Sequence, residues 1–234
     1  SYQREWIAML KRMVIGVLLA WSVVLYGLLF VVSRDSPVDR TIALMSLGLF
    51  VCWVLVAGGG MWLWREPFVA ATQRLEIDWR LRFVGLSTLL ALVEEAIATT
   101  LTNAAPLLGD PSGQAAITAS RNYLEVVLGH SVIVFVPMFA AWAGLLTWRK
   151  FPPFGVFLTF GLTGLLGETM AFGAQNVLGA GFWILVYGLM IYLPACSVPD
   201  RSIRPARVWH YPVALLVPIV LSTPVTLVVL ALRG

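Results

Sequence analysis

Four ionisable residues stand inside apolar runs of this sequence: Glu94, Glu95, His130 and Glu168. An ionisable group inside a bilayer costs roughly 2.5–3.5 kcal/mol on insertion scales, so it persists only when it is paired, protonated or functional. Carboxyl and imidazole groups are also the commonest general acids and bases of enzymes. We therefore predict that Glu94, Glu95 and His130 are catalytic, and that Glu168 binds substrate beside them.

Further polar residues accompany these groups along the chain. Thr99 and Asn103 follow Glu95 at helical spacing, so they share its predicted helix face. Arg121 approaches the run that contains His130, and Asn176 follows the run that contains Glu168. We predict substrate-binding roles for these four flanking residues: Thr99, Asn103, Arg121 and Asn176. The sequence does not identify a cofactor. A divalent metal is one expectation, and its ligands would come from Glu94, Glu95, His130 and Glu168.

Each of these residues also has a structural interpretation. One acid of the Glu94–Glu95 pair can be protonated and bonded to a backbone carbonyl, or can pair with Arg121. His130 can hydrogen-bond a glutamate, and Glu168 can extend towards the membrane surface. Adjacent helix positions point about 100° apart, so the two carboxyl groups need not face one pocket.

The composition decides what kind of protein must position these residues. Hydrophobic residues make up 59% of the 234 residues and charged residues only 12%, against about 25% charged in soluble domains. The mean hydropathy is +0.87. Apolar runs long enough to cross a membrane, which takes about 20 residues, recur along the chain. We therefore predict an all-α, polytopic transmembrane helical bundle that forms a single integral membrane domain over residues 1–234.

The apolar runs predict seven spans, and the basic residues predict their orientation. The spans are placed at about 13–33, 41–64, 83–103, 126–147, 154–172, 178–196 and 211–232. Alternate sides of these spans carry 12 and 4 of the Lys and Arg residues. By the positive-inside rule this predicts an N-in, C-out topology. For a bacterial source, the expected location is the inner or plasma membrane. The basic residues lie at span ends, so the net charge of +4 does not indicate nucleic-acid binding.

Two connections are longer than turns. Residues 65–82 mix apolar and charged side chains, which favours either a helix lying in the inner interface or a solvated loop. Residues 104–125 contain prolines and glycines and begin as an irregular outer loop. In the predicted topology, Glu94, Glu95, His130 and Glu168 all fall in the outer half of the bilayer. Three helices therefore place polar groups at a similar depth, which indicates one shared site.

Over about residues 90–176 the chain resembles the CPBP family of intramembrane proteases, which includes the CAAX-prenyl endopeptidases. Glu94-Glu95 and His130 match the Glu pair and the following His of that family in type and approximate spacing. Thr99 stands in the region of the family's arginine. The later histidine–asparagine motif of the family has no histidine here, and its place is left to Asn176 or to Thr159 and Thr163. The resemblance implies water activation by Glu94 or Glu95, assisted by His130.

Three functions follow from these observations. The first is an intramembrane hydrolase that acts on a lipid or a membrane-embedded peptide. The second is a non-catalytic subunit of a larger membrane complex that binds lipid, pigment or quinone. The third is a proton- or cation-coupled transporter, which predicts polar residues continuing to the inner side. The expected partners are membrane lipids and, for the second function, other membrane protein subunits.

Overall fold

The computed structural model describes residues 2–232, with side chains from residue 5 onwards. It confirms the predicted all-α bundle. Within the described residues, extended pairing is limited to an isolated bridge between Lys150 and Pro205. The α-helices, in chain order, are α1 (Tyr2–Val32), α2 (Pro37–Leu49), α3 (Gly58–Leu63), α4 (Arg65–Gln73), α5 (Trp79–Asn103), α6 (Ala105–Leu108), α7 (Tyr123–Gly129), α8 (Val132–Trp148), α9 (Pro153–Phe172), α10 (Ala180–Cys196) and α11 (His210–Ala231).

Six helical segments of the described chain are long and apolar enough to cross a membrane, and a bent helix pair makes a seventh if it counts as one span. A π-helix, Phe50–Ala57, joins α2 to α3 into the segment Pro37–Leu63. A 3₁₀ turn, Ala174–Gly179, leads into α10. The predicted spans overlie these segments to within a few residues, except at the first, where α1 begins at Tyr2 instead of residue 13. The N-in, C-out orientation remains a prediction.

The fourth predicted span is not one continuous helix. It consists of α7 and α8, which meet at an angle of 43°. The break lies at His130 and Ser131, which follow Gly129. The Val126 carbonyl accepts hydrogen bonds from the backbone N–H groups of His130 and Ser131, at 2.9 and 3.0 Å. Two donors on one carbonyl displace the next turn from the α-helical pattern, so the chain changes direction beside these two residues.

Five helices pack around one interior in a closed order. In that order α5 packs on α8, α8 on α11, α11 on α9, α9 on α10, and α10 on α5. Aromatic side chains fill the middle of this ring. Phe139 and Trp142 of α8 and Phe160 of α9 are almost completely buried. The rings of Phe139 and Phe160 lie 5.4 Å apart between centroids, so side chains from opposite walls meet there.

Glycines allow α9 and α10 to approach closely. A Cβ atom added at Gly161 would lie 2.5 Å from the Ile184 backbone oxygen, and one at Gly164 would lie 2.1 Å from the Tyr187 ring. Both glycines therefore serve the packing of α9 against α10. Gly167 continues the three-residue spacing of Gly161 and Gly164. A Cβ at Gly167 would meet no atom within 4 Å, so Gly167 does not serve this contact.

Both long connections contain helical structure. For residues 65–82 the sequence predicts either an interfacial helix or a solvated loop. In the structure Arg65–Gln73 form α4, and α5 begins at Trp79. The 104–125 connection begins with the short helix α6, which ends at Gly109 with φ +119°. The Asn122 side chain then accepts a hydrogen bond from the Leu124 N–H at 3.0 Å and caps α7. This connection lies next to the end of the ring that holds the carboxyl groups.

Candidate functional site

Helices α5 and α9 bring three carboxyl groups to one end of the ring. Glu94 and Glu95, in the second half of α5, are 6% and 8% exposed, and Glu168 in the last third of α9 is partly buried. Electrostatic interactions link Glu168 to both Glu94 and Glu95. No Lys or Arg of the described chain forms an ion pair with any of these three residues. We call Glu94, Glu95 and Glu168 the carboxyl cluster.

Tyr187 of α10 joins this cluster, although no sequence pattern marks it as a site residue. Its hydroxyl donates a hydrogen bond to Glu168 Oε1. Its ring packs edge-on against Phe135 of α8 at 5.7 Å and stacks with Trp183 at 5.9 Å. Gly164 leaves the space that the ring occupies on α9. Tyr187 therefore links α8, α9 and α10 at the level of the carboxyl groups.

The helix break places His130 and Ser131 near the same end of the interior. The Ser131 hydroxyl interacts with the Glu95 carboxyl group and also lies 3.3 Å from the Val126 carbonyl oxygen. His130 ends α7 in a non-helical conformation and is partly buried. The break thus brings a serine hydroxyl to Glu95. Its only sequence signal was Gly129 directly before the two polar residues.

Thr99 and Asn103 follow Glu95 on α5, but their environments differ. Thr99 is 4% exposed, and its hydroxyl has no hydrogen-bond partner within the described chain. Asn103 is exposed, and its amide donates to the carbonyls of Thr99 and Arg121, both at 3.0 Å. The Thr99 hydroxyl, one turn beyond Glu95, is therefore available to a ligand, whereas Asn103 ties α5 to the loop.

Arg121 and Asn176 make local contacts. The Arg121 guanidinium donates to the carbonyls of Thr102, Gly113 and Ala115, at 2.9, 2.5 and 3.1 Å. The Asn176 amide donates to the Gly173 carbonyl at 3.2 Å. Arg121 holds the loop against α5 and pairs with neither Glu94 nor Glu95. These contacts are with backbone carbonyls of the chain itself, so they give no support to the predicted substrate-binding roles of the two residues. The hydroxyl groups that adjoin the cluster are those of Tyr187 and Ser131.

Asp110 organises the same loop from outside the membrane spans. Its carboxylate accepts hydrogen bonds from the Ser112 hydroxyl, from the Ser112 N–H at 3.1 Å and from the Ala115 N–H at 2.6 Å. The Ser112 side chain first, and then the Ala115 backbone, hold the pKa of Asp110 below its usual value. The loop above the carboxyl cluster is thus tied by Asp110 and Arg121 together.

The arrangement does not gather a metal centre. No group of three or more His, Cys, Asp and Glu side chains within residues 2–232 is arranged to hold a metal ion. The ligand set predicted from Glu94, Glu95, His130 and Glu168 is therefore not assembled, although the three carboxyl groups interact. What the site offers is acid–base chemistry from neighbouring carboxyl, phenol and hydroxyl groups.

The cluster is separated from the other end of the ring by apolar side chains. Phe139, Trp142 and Phe160 lie between the two ends, and Phe83 and Val156 are fully buried nearer the far end. The buried hydroxyls of Thr159 and Thr163 below the cluster hydrogen-bond backbone carbonyls. The buried Ser87 hydroxyl and Trp142 Nε1 have no hydrogen-bond partner in the described chain. The polar site therefore belongs to one end of the bundle.

No protein-family model matches this chain, no curated protein matches its sequence, and no solved structure matches its fold.

Proposed function

We propose that this membrane protein is an intramembrane hydrolase that uses the carboxyl cluster to activate water. The observation that carries the proposal is the burial of Glu94 and Glu95 beside the Ser131 and Tyr187 side chains. A general base must lie near a water molecule that also reaches the substrate, and the interacting carboxyl groups provide both a base and an acid. The order of Glu94-Glu95 and His130 is in keeping with the CPBP-like resemblance.

The reaction is an acyl-bond hydrolysis that needs no external electron donor. Glu94 or Glu95, as carboxylate, takes a proton from water while the oxygen attacks a carbonyl carbon. The carbonyl π electrons move to its oxygen, and the Ser131 hydroxyl, or the Thr99 hydroxyl that has no partner within the described chain, donates a hydrogen bond to that oxygen. The intermediate then collapses, the acyl bond breaks, and the protonated glutamate returns its proton to the leaving group. Glu168 orients Tyr187 throughout.

The apolar middle of the ring favours hydrolysis over transport. A carrier needs a polar route to both membrane faces, and the layer formed by Phe139, Trp142 and Phe160 interrupts such a route. A hydrolase needs access from one side only. The substrate class that fits is a lipid ester or a membrane-embedded peptide, because the cluster lies at the level of membrane spans.

The direct test follows oxygen from water into the product. Purified protein is reconstituted in liposomes that contain lipid esters and a transmembrane reporter peptide, in H₂¹⁸O, and new carboxyl groups are detected by mass spectrometry. Glu94→Gln or Glu95→Gln should lower the rate of ¹⁸O incorporation about 10²–10⁴-fold, the usual effect of losing a general base. Glu125→Gln is the matched control, since Glu125 is exposed and bonds Ser120 outside the cluster.

Either of two results would refute the hydrolase. One is the absence of ¹⁸O incorporation from both substrates by a folded wild-type protein. The other is incorporation that Glu94→Gln and Glu95→Gln leave at the wild-type rate. Co-purification of other protein chains or a pigment with an inactive wild type would instead favour the predicted non-catalytic subunit.

A further inference from the structure

A second polar crevice lies at the opposite end of the bundle from the carboxyl cluster. It has a volume of about 170 Å³ and lies between the α8–α9 connection and the segment that follows α10. Its charged lining residues are Lys150, Asp200 and Arg201, and its apolar walls include Phe151, Pro153 and Ile203. One water molecule in the liquid takes about 30 Å³, so this space admits a group of several heavy atoms.

The backbone around the crevice is fixed by pairing between two segments. The Lys150 N–H donates to the Arg204 carbonyl at 3.1 Å, and the Ala206 N–H donates to the Lys150 carbonyl at 2.9 Å. These two hydrogen bonds form the isolated bridge between the connection and the post-α10 segment. Lys150 and Arg201 are thereby held on the two sides of a single crevice.

Arg201 supplies a cationic group without a carboxylate partner. Its guanidinium lies over the Trp79 ring, with Cζ 4.1 Å from the centroid, and donates to the Leu146 carbonyl. Its Nε is buried and has no hydrogen-bond partner in the described chain. Arg201 also forms no ion pair there, while neighbouring Arg80 pairs with Asp78 at 3.3 Å. The local charge around Arg201 is therefore positive.

Lys150 is paired, but by a contact that an anion could replace. Its ammonium group binds the Asp200 carboxylate, and both side chains are largely exposed, at 53% and 83%. Exposed ion pairs of this kind contribute little free energy, about 0–1 kcal/mol. An incoming phosphate can compete for Lys150 while also meeting Arg201, because both residues line the same crevice.

The crevice lies at the ends of spans, where lipid headgroups are found. It is bordered by the last turns of α8 and α10 and the first turn of α9. Trp79 and Trp148 lie at the same end, as is typical of the membrane–water interface. We propose that this crevice binds the phosphate group of an anionic phospholipid, with Arg201 as the principal contact and Lys150 as the second. This site is independent of the proposed hydrolase.

The test measures lipid retention in nanodiscs that contain equal amounts of phosphatidylglycerol and phosphatidylcholine. Native mass spectrometry of the released protein then gives the ratio of the two bound lipids. Arg201→Gln should lower the phosphatidylglycerol enrichment about fivefold, which corresponds to about 1 kcal/mol per basic residue near an anionic surface. Lys150→Gln should lower it less, and Asp200→Asn should raise it because it releases Lys150.

Two further variants separate a specific site from general surface charge and from misfolding. Arg74→Gln removes an exposed arginine of the same end that does not line the crevice, so it should leave the ratio unchanged. Arg201→Lys keeps the charge and should retain most of the enrichment. Equal losses in Arg74→Gln and Arg201→Gln would overturn the proposal, as would an equal loss in Arg201→Lys and Arg201→Gln.

A soluble competitor identifies the source of the phosphate. Millimolar sn-glycerol 3-phosphate should not displace bound phosphatidylglycerol, because the free ester lacks the acyl chains that hold a lipid at the interface. Displacement by this ester would overturn the assignment to a lipid and would indicate a soluble phosphate ester as the ligand. Unchanged lipid ratios in every variant would also overturn it.

Discussion

At the scale of single residues, the hydrogen bond between Tyr187 and Glu168 contributes both to helix packing and to the geometry of the candidate site. The bond joins α10 to α9 and orients a phenol towards the carboxyl cluster. Removing one partner of such a bond in low-dielectric surroundings raises the free energy of the folded state, because the other polar group is then buried without a partner. Tyr187 is thus expected to affect both stability and the rate of the proposed reaction.

Tyr187→Phe should destabilise the protein by about 1–3 kcal/mol, because the Glu168 carboxyl group loses its hydroxyl donor. The free energy of unfolding can be measured in detergent micelles by tryptophan fluorescence. A double-mutant cycle with Glu168→Gln isolates the bond itself. A coupling energy near zero between the two substitutions would show that the hydroxyl and the carboxyl group do not stabilise each other.

Asp110 gives a prediction for pH. Its folded-state pKa lies below the usual value, so its hydrogen bonds stabilise the 109–122 loop above the ordinary carboxyl pKa. That stabilisation should disappear as the pH falls through the lowered folded-state pKa. Limited proteolysis of the loop, followed from pH 7 towards pH 3 with an acid-stable protease, should therefore show increasing cleavage only at the acid end.

Asp110→Asn is the matching variant for this experiment. It replaces the carboxylate that accepts the Ser112 and Ala115 hydrogen bonds with a neutral amide that does not titrate. Cleavage of the loop should therefore be faster at pH 7 and nearly independent of pH. A wild-type protein whose loop is cut equally at both extremes would contradict the assignment of this role to Asp110.

The sequence identified some site residues and missed others for a physical reason. Glutamates in an apolar run are conspicuous because charge in hydrocarbon is costly, and this drew attention to Glu94, Glu95 and Glu168. A tyrosine in such a run is ordinary, so Tyr187 becomes visible only once Gly164 brings α9 and α10 together. Arg121 is predicted from its charge and from its place before the run that contains His130, and the structure shows that backbone carbonyls of α5 and the loop accept its hydrogen bonds.

At the scale of the elements, the contact between α9 and α10 positions Glu168 against Tyr187. It depends on Gly161, whose missing side chain lets the Ile184 backbone approach. Backbone atoms cannot move aside as the end of a flexible side chain can, so added volume here must separate the two helices. This makes α9–α10 packing a requirement for the carboxyl cluster.

Gly161→Ala should therefore destabilise the protein by about 1–3 kcal/mol, as expected for overpacking in a well-packed core. Gly167→Ala is the matched control on the same helix. Its Cβ meets no atom within 4 Å, and alanine is the better helix former by roughly 0.8–1 kcal/mol. In thermal unfolding in micelles, Gly161→Ala should lower the Tm below that of the wild type and Gly167→Ala should raise it. Equal behaviour of both would contradict the close approach at Gly161.

The elements themselves were largely predictable, but their interruptions were not. Span positions follow from the length of apolar runs, which a bilayer fixes. The α7–α8 break and the π-helix Phe50–Ala57 arise from how particular backbone groups bond within the folded bundle. In the π-helix, Trp53 Nε1 donates to the Val186 carbonyl of α10 at 3.0 Å, next to Tyr187. No hydrophobic pattern indicates such a contact.

At the scale of the whole molecule, the two ends of the bundle differ in charge and in chemistry. One end holds the carboxyl cluster, next to the 104–125 connection. The other holds most of the arginines of the described chain, including Arg80, Arg149 and Arg201, and the crevice of about 170 Å³. The aromatic layer of Phe139, Trp142 and Phe160 separates them. Under the positive-inside rule, this difference in basic residues between the two ends predicts that the carboxyl end faces away from the cytoplasm.

Single-cysteine labelling can test both this orientation and the seventh span. In a Cys52→Ala, Cys196→Ala background, Gln114→Cys marks the loop at the carboxyl end and Ser202→Cys marks the basic end; both positions are exposed. In right-side-out vesicles, a membrane-impermeant maleimide should label Gln114→Cys at once and Ser202→Cys only after permeabilisation. The reason is that α7 and α8 together carry the chain from one face to the other.

Each alternative topology gives a different labelling pattern. Labelling of Ser202→Cys before permeabilisation, with Gln114→Cys protected, would reverse the orientation and place the carboxyl cluster on the cytoplasmic side. Labelling of both positions from outside would mean that the α7–α8 pair is re-entrant and that the chain crosses only six times. In that case the two polar ends would share one aqueous compartment, and the basic residues would no longer divide 12 to 4 between the two faces of the membrane.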